Sequence, residues 1–215
     1  MPIVRLPNGD LRDEIRQPLF DTISAVAGQN PNIFNNQSFF SNAAGKAPWQ
    51  TNLRQNNLLE TAVSYRVMGM ALDAQYLNNN ATLLAQMFLP NLMDYGAVRV
   101  HIGEKDYWTG PMNYVMGRLE QNGAVAYSPE IQAVPADTAG FLSGLVYQRC
   151  GAPAVQGVVL SGRHVVDINP LQSFYVQMTV EVPTALAALA TCSLDANDQI
   201  NLKFSFKGLQ RRPVQ

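Results

Sequence analysis

The closing stretch "QINLKFSFKGL", residues 199–209, limits the possible folds more than any other part of the chain. Ile200, Leu202, Phe204 and Phe206 alternate with Asn201, Lys203, Ser205 and Lys207. A period of two sends one set of side chains into a core and the other toward water. The pattern predicts a half-buried antiparallel strand. Such a strand needs partners along both edges and a second layer over its apolar face.

Candidate partners recur along the chain. "SFYVQMTVEV" sets Phe174, Val176, Met178, Val180 and Val182 against Ser173, Tyr175, Gln177, Thr179 and Glu181. "TAVSYRVMGMALD" (61–73) sets Val63, Tyr65, Val67, Gly69 and Ala71 against Ser64, Arg66, Met68 and Met70. "AVRVHI" and "KDYWTG" flank Gly103-Glu104, a glycine-first hairpin connection. Asn122-Gly123 is a second hairpin signal, and Ser161-Gly162 lies between two β-branched runs. About eight strands with turn signals every ten or so residues predict a sandwich or jelly roll.

The remaining segments fit around that barrel. "NATLLAQMFLPNLM" (80–93) reads as a short helix, capped by Asn80 and stopped or bent by Pro90. "PTALAALATCSL" (183–194) reads either as a helix or as a loop with one helical turn. Residues 1–56, dense in Pro, Asn and Gly, are expected to be an extended arm plus the first edge strands, and residues 208–215 a C-terminal tail. With no repeat and no low-complexity linker, the 215 residues read as one domain.

Charge narrows the functional classes. Fifteen basic and 16 acidic residues leave a net charge of -1, and 14% of residues are charged against roughly 25% in average proteins. A nucleic-acid binder carries a basic face, because phosphate contacts supply most of its affinity. No broad nucleic-acid surface is expected here. An amide-rich, nearly neutral surface instead favours assembly with neighbours. No apolar window reaches the length of a signal peptide or a membrane span, so the expectation is a soluble, non-exported chain.

The sequence supplies little for catalysis. His101 and His164 are too few for a zinc or iron site, and Cys150 and Cys192 lack metal-type spacing. The two cysteines read as buried thiols, with a disulfide as the alternative. Asp195, Asn197 and Asp198 open a polar turn without the glycine and glutamate of a calcium loop. No nucleophile elbow, phosphate loop or dinucleotide fingerprint occurs. Asp10, Asp13 and Glu14 read as a solvated run. The polar cluster His101, Glu104, Lys105, Asp106, Tyr107 and Trp108 reads as a hairpin whose charges gather at its turn, not as an active site. No enzyme, cofactor or metal is expected.

Three stretches together resemble the jelly-roll capsid proteins of tailless, icosahedral, often membrane-containing bacteriophages. They are "LFDTISAV…FFSNAAGKAPWQTNL", "VRVHIGEKDYWTGP" and "FYVQMTVEVP…INLKFSFKGLQRRPVQ". The shared pattern is an early Phe-Asp-Thr, a Gly-Lys turn, a mid-chain hairpin, and a last strand ending in Gly-x-x-x-Arg-Pro. It spans residues 19 to 215. The chain is too short for the double-barrel members and holds one barrel.

The resemblance implies a single eight-stranded jelly roll that self-assembles into capsomers of an icosahedral shell. It also implies a virion location after assembly in the host cytoplasm. Its partners would be copies of itself, other capsid or vertex proteins and an internal viral membrane. Arg211 and Arg212 are the candidate tail contact, with a lipid head group or a neighbour's acidic loop as partner. The alternative is a carbohydrate- or receptor-binding jelly roll of a spike or fibre, using Trp49, Tyr107, Trp108 and Tyr114 as stacking surfaces.

Overall fold

The computed structural model describes residues 3–5, 11–77, 92, 95–116, 158–160, 162–181, 194 and 199–214. These residues form a mostly β structure of two antiparallel sheets. The strands are β1 (Ile3–Arg5), β2 (Leu11–Arg16), β3 (Leu19–Val26), β4 (Ser38–Phe39), β5 (Ser64–Leu77), β6 (Gly96–Ile102), β7 (Lys105–Pro111), β8 (Val158–Val159), β9 (Val166–Ile168), β10 (Phe174–Val180) and β11 (Gln199–Pro213). The larger sheet runs β1-β2-β11-β5-β8, with β3 also on β11 and β9 also on β5. The smaller sheet runs β4-β10-β6-β7.

The apolar set of β11 turns inward as its alternation predicts, while Asn201 of the polar set is also buried, its Oδ1 accepting from Ser24 Oγ at 2.7 Å. Ile200, Leu202, Phe204 and Phe206 are buried, and so are Phe174, Val176, Met178 and Val180 of β10 in the facing sheet. Aromatic rings close the gap between the sheets. Phe40 stacks on Phe206 at 5.6 Å and lies 5.2 Å from Phe174, while Phe39 lies 5.5 Å from Phe204. Offset and tilted pairs of this kind add to the energy of burying apolar area.

A crease crosses the larger sheet. Pairing shifts between Lys207 and Gly208, where Lys207 faces Gly69 but Gly208 faces Val67. Met68 is therefore the extra residue of a β-bulge, and bulges bend a strand and increase its twist. Opposite the same point, β2 ends at Arg16 and β3 resumes at Leu19 along one edge of β11. Between them stands Pro18, which has no N–H for a ladder. On the far edge of β5, β8 pairs at Gly69 and Met70 and β9 at Tyr65 to Val67, with a 3-10 turn (Gly162–His164) between. All four rows break at one level. A Cβ on Gly208 would overlap the Arg66 carbonyl, so the crease needs glycine there.

The crease corrects two expectations. The core face of β5 passes from Tyr65 and Val67 to Met70 and Leu72, not to Gly69 and Ala71, because one inserted residue reverses which face each side chain takes. Ser161-Gly162 opens no hairpin, since β8 and β9 are two pieces of one row on β5.

The segments read as arm and tail are also built into the sheets. Residues 208–213 continue β11, and β2 and β3 pair along it. The turn formers after β3 cover its free edge. Asn52 accepts from Phe20 N–H at 2.9 Å, its amide donates to the Pro18 carbonyl at 2.7 Å, and Thr51 Oγ1 donates to the Phe20 carbonyl at 3.0 Å. An uncovered edge is a template for unwanted pairing, and these side chains occupy it.

A short helix, α1 (Met112–Met116), follows β7 where none was expected. The helix expected over 80–93 lies outside the described residues except Leu92. Outside them also lie Asn122-Gly123, Cys150, Cys192, and segment 183–194 except Leu194.

Candidate functional site

Two pieces of the motif noted above meet inside the fold. Asp21 on β3 is completely buried, and its carboxylate accepts from Lys46 Nζ at 2.8 and 2.9 Å and from Phe40 N–H at 2.7 Å. Lys46 Nζ also donates to the Thr22 carbonyl at 2.7 Å. Phe40 has φ 70, a left-handed backbone that bulky residues rarely adopt. Its N–H bond to Asp21 and its carbonyl bond from Asn57 N–H at 2.8 Å hold that conformation while its ring fills the core. The arrangement locks a loop onto a strand.

The hairpin cluster is a surface feature. Gly103, φ 64, opens the turn between β6 and β7, and Val98, Val100 and Ile102 face the core. On the outer face His101 Nδ1 lies 2.9 Å from Asp106 Oδ1 and its ring stacks on Tyr175 at 4.6 Å. Arg99 Nε lies 3.8 Å from the other oxygen of Asp106. A bulge after Val100 brings Asp106 opposite His101 and turns Trp108 inward, where it packs against the core and over Gly110. Glu104 and Lys105 are exposed at the turn. His101 is thus oriented by Asp106 and Tyr175.

Arg211 and Arg212 are separated by strand alternation. Arg211 lies largely buried beside Glu14, its Nε donating to Oε2 at 2.9 Å, while Arg212 is exposed on the opposite face beside Asp13 in register. The two side chains thus leave β11 on opposite faces. Beyond the crease Arg66 makes a two-pronged contact to Asp167, Nε to Oδ1 at 2.9 Å and Nη2 to Oδ2 at 3.1 Å. That bond holds the Asp167 carboxyl below its usual range and raises the Arg66 pKa. At the crease itself the Tyr65 hydroxyl lies 2.7 Å from the Gln17 carbonyl and 2.9 Å from the Phe206 carbonyl. Burial pushes its pKa well up.

The exposed aromatics among the candidate stacking surfaces stand on separate elements. Trp49 is exposed on the loop beside β3, Tyr107 on β7 at the edge of the other sheet, and Tyr114 on α1. Among the described residues no three His, Cys, Asp or Glu side chains come together as a metal site, and no helix is long and apolar enough to cross a membrane. His164 is exposed beside β9, and Asp195, Asn197 and Asp198 lie outside the described residues.

The Asp21–Lys46 tie escaped the sequence reading because the partners are 25 positions apart in unrelated segments. Compared with models of protein families, with curated proteins and with solved structures, the chain matches none.

Proposed function

We propose that this chain is a viral structural protein, a capsid subunit folded as a single jelly roll that self-assembles into capsomers of an icosahedral shell. The observation that carries the reading is the order of the rows. Among the described residues, when β2 and β3 count as one row and β8 and β9 as another, the rows number eight in chain order, with β1 as an added hairpin strand. The larger sheet then reads first, eighth, third, sixth, and the smaller one second, seventh, fourth, fifth. This is the order produced by two Greek keys wrapped into a double sheet, an architecture shared by viral capsid and lectin domains.

Fold alone does not choose among those uses. The shell reading is favoured by the motif pieces Phe20-Asp21-Thr22 and Gly45-Lys46, which meet in the Asp21–Lys46 tie, and by a net charge of -1, which lets copies crowd without repulsion. On this reading the partners are further copies, other capsid or vertex proteins and an internal membrane, with the virion as location. It assigns no catalysis and no cofactor. The carbohydrate-binding alternative needs a shared aromatic platform, whereas Trp49, Tyr107 and Tyr114 stand on three separate elements.

The test is mass photometry of the recombinant chain across concentration, with negative-stain imaging of the largest species. Discrete rings or shells are the expected result. A monomer at every concentration that binds glycans saturably would overturn the shell reading.

A further inference from the structure

The turn after β9 carries a leucine that suits neither its backbone nor its surroundings.

 

Gln172 N–H donates to the Asn169 carbonyl at 3.1 Å and Asn169 N–H donates to Gln172 Oε1 at 3.0 Å, which closes the four-residue turn. Pro170 stands second and Leu171 third with φ 63, a position where this kind of turn takes Gly or Asn. Leu171 is also 70% exposed. A leucine that stays mostly exposed in its own chain and strains the backbone points to a contact outside it. The knob is held firmly. Gly103 N–H donates to the Ser173 carbonyl at 2.7 Å, and Gln172 lies against Gly103. This brings the exposed Glu104 and Lys105 of the hairpin turn alongside.

A small cleft of mixed polar and apolar lining opens at the crease. The cleft has an apolar lining of Pro18, Leu19, Leu53, Leu59 and Val63, with Arg54 and Glu60 among its polar walls. Its water-sized free volume is about 50 Å³. One water takes roughly 10–15 Å³ of such volume, so the cleft holds a few waters or one branched aliphatic group. Arg54 and Glu60 are exposed and 3.2 Å apart. The knob side thus offers an acid and a base, Glu104 and Lys105, and the cleft side offers a base and an acid, Arg54 and Glu60.

Knob and cleft stand on opposite flanks of the larger sheet. Leu171 follows β9, the cleft lies at the β2–β3 junction, and β5 and β11 run between. Three strand spacings amount to about 15 Å. We propose that copies of this chain associate flank to flank, with the Leu171 turn of one copy seated in the crease cleft of the next and Glu104 facing its Arg54. Because the two patches differ, the contact is head to tail, the type that closes into rings or extends into arrays. The inference rests on the shell reading and names one of its contacts.

The test is mass photometry across concentration on the full chain and four variants: Leu171→Asn, Arg54→Glu, Glu104→Arg, and the last two combined. Leu171→Asn is expected to weaken association about 10- to 100-fold, as loss of a central anchor does. It should also raise the thermal midpoint, because asparagine accepts the left-handed backbone. Each charge reversal alone should weaken association and the double reversal should restore it. Assembly of Leu171→Asn at the wild-type concentration, or a double reversal as weak as its two parts together, would overturn this contact and leave the shell reading standing. A wild-type chain that stays monomeric throughout would overturn this contact, and if it also binds glycans saturably it would overturn the shell reading with it.

Discussion

Two ion pairs on the larger sheet, one on each side of the crease, use similar groups to opposite effect. Short of the crease, Asp21 is 0% exposed and Lys46 19%, and the carboxylate also takes the Phe40 amide. Beyond it, Asp167 and Arg66 are 45% and 38% exposed and bond each other between the edge strand β9 and its neighbour β5. Desolvation makes the first pair necessary once formed, since either charge alone would be stranded in the core. Solvent screens the second, which orients two strands and contributes little energy. The contrast shows that the same chemistry acts as a lock where the second sheet covers it and as a trim where water does.

Breaking the lock should have the largest effect. Lys46→Ala leaves the Asp21 carboxylate buried without its cation, and the expected loss is about 3–5 kcal/mol in urea unfolding. A loss below about 1 kcal/mol would show that water reaches Asp21 and that the two pairs are alike.

The seam between the two regions comes next. Tyr65→Phe removes a hydroxyl shared by the Gln17 and Phe206 carbonyls, at a cost of about 1–3 kcal/mol. Burial raises the folded Tyr65 pKa above the unfolded value of about 10. Its contribution is therefore complete below that value and is lost as pH rises toward the folded pKa. Unfolding midpoints measured from neutrality to above about pH 10 should fall more in wild type than in Tyr65→Phe.

The smallest effect is expected beyond the crease. Asp167→Asn should cost about 0.2–1 kcal/mol and shrink further in high salt. The folded carboxyl ionises more readily than the unfolded one, so its contribution is present above the unfolded pKa of about 3.9 and vanishes as pH falls through the lower folded value. A loss that is insensitive to both salt and pH would mean that this pair, too, is shielded from water.

Where side chains alternate over a covered sheet, local sequence was enough. β6, β10 and the first half of β11 carry their apolar residues inward as read, and Gly103 makes the turn. The segment before residue 56 was harder, because Asn52 and Thr51 look like solvated loop residues until the edge of β3 is there to receive them. Of the candidate sites, the hairpin cluster was placed correctly on the outer face, but Trp108 turned inward through a bulge that no local pattern announces. The Leu171 turn had a signal in Asn169-Pro170. What marks it, an exposed leucine in a left-handed backbone, exists only in three dimensions.

By itself the sequence determined the all-β class, the strands with strict alternation and the two-residue hairpin, because a period of two and a glycine with positive φ are properties of neighbouring residues. The tertiary structure decided the crease, the Asp21–Lys46 lock, the separation of Arg211 from Arg212 and the meeting of the Leu171 and Gly103 turns. Each depends on which strand lies opposite which, and a shift of one residue in that register moves a side chain from core to solvent.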